Sequence, residues 1–164
     1  MPDSERRTRD LRFLETCLPN VAQIFHYWDA RRGNRRMPCR ADLDPVDIPR
    51  LLAGILLIDV EGVDDDGIGI YRYRVVGTRE VQSRGHDPTG RLVVEGYFAE
   101  TLQEAIATYE LVRRDGCFLF EPLRFWSEDK HWVDEDSIAL PLSEDGETVT
   151  QILVYSEQRR RSED

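Results

Sequence analysis

Apolar residues recur at Leu11, Leu14, Leu18, Val21, Phe25 and Trp28, in alternating steps of three and four that predict helix. Pro19 interrupts the run, because an interior proline removes an amide and clashes with the preceding turn. Proline suits a first helical turn, so the pattern predicts a helix over about 19–32 with a shorter one over 9–18. Arg31 and Arg32 suit its negative end, and Gly33 can close it in left-handed backbone. Asp44-Pro45 with Asp47 reads as another helix start, with a capping carboxylate and a proline in the first turn. Pro49 and Gly54 keep that helix short.

Strand patterns follow. Residues 55–61 are apolar, 62–69 are rich in Asp and Gly like a hairpin loop, and 70–76 alternate. Side chains alternate across a strand, which places Tyr71, Tyr73 and Val75 on one face and Arg72 and Arg74 on the other. A helix is predicted over 98–114, with Phe98, Leu102, Ala105, Tyr109 and Val112 as its apolar stripe and Gly116 placed to end it. Three strands complete the chain, over 117–126, 132–142 and 148–156, with Asp145-Gly146 as a turn between the last two. Helices combined with a mainly antiparallel sheet make this an α+β fold.

Composition narrows the function classes. A chain of 164 residues is long enough for one domain with its own core. The net charge of −10 argues against nucleic-acid partners, since phosphate binding needs an excess of Lys and Arg. Arginines at 6, 7 and 9, at 31, 32, 35 and 36, and at 159–161 read as solvated helix ends and termini. Cys17, Cys39 and Cys117 show no metal-ligand spacing and suit reduced thiols. The longest apolar run, 51–58, is far short of the roughly 20 residues that span a bilayer. The N-terminus lacks a signal-peptide core. A soluble, cytoplasmic protein without membrane contact is expected.

Tyr71-Arg72-Tyr73-Arg74-Val75-Val76-Gly77-Thr78, followed by Gly85-His86-Asp87-Pro88-Thr89-Gly90-Arg91, resembles the centre of a PAS sensor domain. The wider pattern is similar to small stand-alone PAS-like proteins of bacteria. It includes Trp28 with Arg31-Arg32-Gly33, the run Pro38-x-Arg40-x-Asp42-x-Asp44-Pro45, Ile48-Pro49, and Pro141-Leu142-Ser143-x-Asp145-Gly146. The resemblance implies a five-stranded antiparallel sheet with a helical crossover and an N-terminal helical cap. It divides the chain into an N-terminal extension (1–18), a PAS-like domain (19–157) and a charged tail (158–164). A flavin photosensor of this family needs a cysteine-bearing motif that is absent between Thr78 and Gly90, and a haem sensor commonly uses a histidine of the long helix, which has none. Both cofactors are disfavoured, and the ligand is left unknown.

The resemblance implies a sensory or adaptor role, binding a small molecule, a signalling partner in trans, or both. The short tail after 156 favours action in trans. A pocket would lie between the sheet and the long helix, with Tyr71, Tyr73, Val75 and Tyr109 as its walls and Arg79 and His86 as polar contacts. Val21, Phe25 and Trp28, with Ile24, form a broad apolar stripe that would otherwise meet water, which points to a homodimer or partner surface. Trp126 and Trp132 flank a polar turn and are expected to pack on the N-terminal helix. Arg40 and Asp42 read as local stitching. Two alternatives stay open: a cone-type α+β enzyme using His131, Asp134 and Asp136 as acid/base groups, and a ligand-free interaction module with a filled core.

Overall fold

A computed structural model describes residues 6–96, 99–126 and 129–160. Helix α1 spans Pro19–Arg32 and has Pro19 in its first turn; Gly33 closes it at φ +58°. A 3₁₀ helix over Leu11–Glu15 stands where the shorter leading helix is predicted. Asp10 caps it by accepting from the Arg12 amide, a bond that replaces one missing at a helix start. Asp44 caps a 3₁₀ turn, Pro45–Asp47, in the same way, accepting from the Val46 amide. Strands β1 (Ile55–Val63) and β2 (Gly69–Val76) form a hairpin, followed by α2 (Thr78–Arg84), α3 (Val93–Gly96) and α4 (Ala99–Asp115). Strands β3 (Leu119–Trp126), β4 (Trp132–Leu142) and β5 (Gln151–Gln158) end the order. Phe98, expected to begin the long helix, lies outside the described residues.

The five strands form one sheet in the order β2-β1-β5-β4-β3, every neighbouring pair antiparallel. The last strand therefore sits at the centre, between the first and the fourth. The chain must cross from the β2 edge to the β3 edge, and α2, α3 and α4 make that crossing over one face, here termed the inner face. Between β4 and β5 the reversal takes a loop rather than a two-residue turn. Asp145 organises it, accepting from the amides of Thr148 and Glu147 and from the Ser143 hydroxyl. These donors, the two amides first, lower its carboxyl to about 2.

Register explains one departure from simple alternation. Leu57 pairs with Val75 but Ile58 pairs with Tyr73, so Arg74 is an extra residue in β2. A bulge of this kind switches the faces beyond it. Tyr71 and Tyr73 remain buried on the inner face, Val76 packs against the core, and Val75 turns outward, 44% exposed. Val75 thus does not share a face with the two tyrosines.

The outer face is covered by α1 and the segment before it. Phe13 stacks on Phe120 at 4.8 Å and meets Phe25 edge-on at 5.3 Å, while Phe25 meets Phe118 at 4.9 Å. The Trp28 indole donates a 2.9 Å bond to the Pro141 carbonyl, which satisfies its polar edge within the core. Val21, Ile24, Phe25 and Trp28 are all buried in this way. The stripe expected as a dimer or partner surface instead faces the protein's own sheet. Phe118, Phe120 and Phe13 supply the apolar area that the helix covers.

Two further clamps hold this layer. Arg159 donates from Nε and Nη2 to the two carboxylate oxygens of buried Asp136, at 2.9 and 2.8 Å, and from Nη2 to the Thr16 carbonyl at 2.7 Å. Asp136 also accepts from the Leu18 amide. Beyond these, residues 6–9 run along the otherwise open edge of β3, where Thr8 and Phe120 exchange amide–carbonyl bonds of 2.8 and 2.9 Å. Pairing of this sort blunts an exposed sheet edge.

Candidate functional site

The inner face follows from the register. Leu119 pairs with Ala139 and Glu121 with Ser137, while Leu123 pairs with Glu135. Ala139 pairs with Val154 and Ser137 with Ser156, and Leu56 pairs with Val154. All of these side chains line a cavity of about 370 Å³, roofed by Glu104, Ala105, Thr108 and Tyr109 of α4 and by Glu80, Ser83 and Arg84 of α2. Its size falls within the range of small-molecule sites, which are concave, mostly apolar and carry a few polar groups. Ser137 and Ser156 hydrogen-bond to each other across β4 and β5 at 3.0 Å.

The charged groups around the cavity are mostly paired. Glu80 and Arg84 of α2 meet at 2.8 Å, and the Arg84 guanidinium also lies over the Tyr73 ring. Glu104 lies 3.8 Å from Arg6, and Arg124 lies 3.6 Å from Asp134. Glu121, only 6% exposed, has Arg7 3.5 Å from its Oε2. That oxygen also accepts from the Thr108 hydroxyl, whereas Oε1 is buried without a partner. Burial raises the Glu121 carboxyl, opposed by Arg7 and Thr108.

Glu135 differs from the rest. It lines the cavity from β4, and its carboxylate has no hydrogen bond or ion pair among the described residues. Burial, reinforced by the negative charge of Glu80, pushes its carboxyl up to about 7, against the opposing Arg79 and Arg84. Perturbed carboxyls in clefts tend to mark functional sites.

Tyr71, Tyr73 and Arg79 lie beside the cavity rather than in its lining. The Tyr71 ring packs on Tyr109 at 5.4 Å, and its hydroxyl donates to Glu110 Oε1 at 2.5 Å. The same carboxylate oxygen accepts from the Gly69 amide and from Arg113 Nε. This end of the sheet–helix interface is closed by hydrogen bonds. The bulge removes Val75 from it. Arg79 donates to the Ser156 carbonyl at 2.5 Å and lies over the Tyr155 ring, docking α2 on the end of β5. His86 is exposed in the loop after α2, its Nδ1 3.2 Å from the Arg84 carbonyl. Tyr109 alone of the six expected residues lines the cavity.

Sequence reasoning passed over Glu121 and Glu135. The available signal was their parity: each occupies an inward position among Leu119, Leu123, Ser137 and Ala139, on a face that the crossover helices must cover. The alternative acid/base group does not converge on the cavity. None of His131, Asp134 and Asp136 is among the lining residues; Asp134 pairs with Arg124, and Asp136 is engaged by Arg159 on the opposite face. Trp126 and Trp132, expected to pack on the N-terminal helix, stand edge to face at 5.2 Å, 56% and 47% exposed. No described cavity-lining residue is a cysteine or histidine, and no helix among the described residues is long and apolar enough to cross a membrane.

A family model described as a PAS domain matches residues 18–155. Among solved structures, VqmA bound to DPO is similar at 12% identity and a TM-score of 0.52, over 71% of this chain and 57% of that one. The PAS-B domain of Drosophila melanogaster Cycle with bound glycerol matches at 13% identity and a TM-score of 0.43, over 64% and 98% of the two chains. A LOV protein of Rhodobacter sphaeroides matches at 15% identity and a TM-score of 0.45, over 73% and 70%. At these identities the likeness is one of fold. No curated protein matches the chain significantly.

Proposed function

The chain belongs to the PAS domain family, and we propose that it is a sensory module whose inner-face cavity binds a small molecule and whose occupancy is read by a signalling partner. The observation that carries this reading is the 370 Å³ space on the inner face of the sheet, open where a filled core would be solid. Protein interiors are close-packed, with few voids larger than a water molecule. A space of this size lined by Leu56, Ala139 and Val154 beside Glu135 has the character of a binding site.

Among the described residues the lining offers no cysteine for a flavin adduct and no histidine for haem iron, which supports a ligand held without a covalent or iron bond. Two parts of the roof are suited to transmit occupancy. The short helix α2 carries the Glu80–Arg84 pair, and residues 6–9 reach the lining through Arg7 and Glu121. A group that competes for Glu121 would loosen the segment that covers β3.

Thermal-shift screening against a broad metabolite panel tests the reading. A small set of chemically related compounds should raise the melting temperature by several degrees, and Ala105→Trp, which places bulk in the cavity, should abolish the shift. Shifts that survive this substitution would place binding elsewhere.

A further inference from the structure

We propose that the cavity takes a small organic cation, a primary ammonium group on an apolar arm, with Glu135 as its counter-ion. This rests on the reading of the cavity as a ligand site and names the chemistry of that ligand.

Charge pairing around the lining leads to this assignment. Glu80 has Arg84, Glu104 has Arg6, Glu121 has Arg7, and Arg124 has Asp134. Glu135 is left over. The cations nearest to it are otherwise engaged, Arg84 by Glu80 and the Tyr73 ring, Arg79 by the Ser156 carbonyl and the Tyr155 ring. An isolated carboxylate in a shielded site either binds a proton or acquires a positive partner. Its tendency to hold a proton near neutrality is what a counter-ion site shows before its cation arrives.

A second acceptor points the same way. Glu121 Oε1 is buried and unpartnered in a residue that is almost wholly enclosed. Both groups offer acceptors, and an ammonium supplies three donors. A ligand anion would meet an uncompensated carboxylate, and every arginine in the lining already has an acid. A neutral alcohol would leave the Glu135 charge unmatched. Leu56, Leu119, Ala139 and Val154 furnish the apolar surface that would hold the arm.

Calorimetric titration of the full chain with phenethylamine, phenethyl alcohol and phenylacetate separates these cases, since the three share a shape and differ in charge. The amine should bind at least about tenfold more tightly than the other two. Glu135→Gln should weaken it by about tenfold or more and leave the protein at least as stable. If that variant does not fold, Glu121→Gln supplies the test, with an expected weakening of about threefold. Glu80, Arg79 and Arg84 act on Glu135 from α2, and Asp136 acts on it from the opposite face of β4. With Glu135 titrating at about 7 and an alkylamine protonated to about pH 10, affinity should drop on the order of 100-fold from about pH 8 to about pH 5. Preference for the alcohol or the anion would overturn the cation while leaving the ligand site standing. Equal binding of all three, or an unaffected Glu135→Gln, would also overturn it. If none of the three binds and the protein carries no small molecule from its host, both the cation and the ligand site fall.

Discussion

The phenol of Tyr71 donates a 2.5 Å hydrogen bond to Glu110 Oε1, joining strand β2 to helix α4 at one end of the inner face. Arg113 grips the same carboxylate from the next turn of the helix at 2.8 Å, and Arg114 lies at 3.2 Å. Burial alone would raise the Glu110 carboxyl. Arg113, Tyr71 and the Gly69 amide outweigh that and hold it at about 2. The cluster closes one end of the sheet–helix interface, and the cavity opens toward β3, β4 and β5.

Glu110→Gln should therefore destabilise the fold by about 3 kcal/mol, because it strips the charge from a shielded, multiply bonded group. The pH dependence has a definite sign. A depressed folded-state carboxyl stabilises above its unfolded value, and this contribution is lost as pH falls toward about 2. Urea denaturation of the wild type and Glu110→Gln at several pH values should show the two curves converging in acid. A constant gap would contradict the assignment.

Glu135 should behave in the opposite sense. Its folded-state carboxyl is raised to about 7, so its protonated form is favoured in the native protein. The associated stability is full below the unfolded value near 4.5 and is lost as pH rises through about 7. Ligand-free Glu135→Gln should be more stable than wild type at about pH 8, by roughly 1 to 3 kcal/mol, and equal to it near about pH 4. Denaturation midpoints across this range check the prediction; a variant less stable at the alkaline end would refute it.

Phe25→Asp should unfold the domain rather than split an oligomer. The side chain is 3% exposed and packs between Phe13, Phe118 and Trp28. An unpaired carboxylate there should cost more than about 4 kcal/mol. Circular dichroism and sedimentation together decide the matter. A folded monomer derived from a wild-type dimer would restore the helix as a partner surface.

Arg159→Ala should destabilise by about 2 to 4 kcal/mol, since it leaves the wholly buried Asp136 with only the Leu18 amide. Arg159→Lys should recover only part of this, because an ammonium lacks the two-pronged fit to a carboxylate. Thermal melts of the two variants provide the measurement. Full rescue by lysine would show that the paired geometry is not required.

Much of this architecture was legible in the sequence. The alternation in β2 and the periodic stripe of α4 gave both elements near their observed bounds, and β4 runs over Trp132–Leu142 as its pattern indicates. The capping role of Asp44 before Pro45 and the reversal at Asp145-Gly146 were also readable, because short-range capping depends on neighbouring residues alone, although the reversal is a longer loop than the two-residue turn expected. The errors have long-range causes. Alternation cannot reveal the extra residue at Arg74, since a bulge depends on the partner strand. The α1 stripe looked too broad because Phe118 and Phe120, which cover it, lie far along the chain. The cavity acids were overlooked for a related reason: Glu121 and Glu135 become neighbours only when β3 and β4 pair.

Native mass spectrometry of protein freshly purified from its own cells tests the ligand-binding claim most directly, comparing wild type with Ala105→Trp at matched stability. Wild type should carry a reproducible non-covalent mass that denaturation releases, and the filled variant should fly without it. An unliganded wild type under every growth condition sampled, or an equal adduct on both proteins, would contradict the claim.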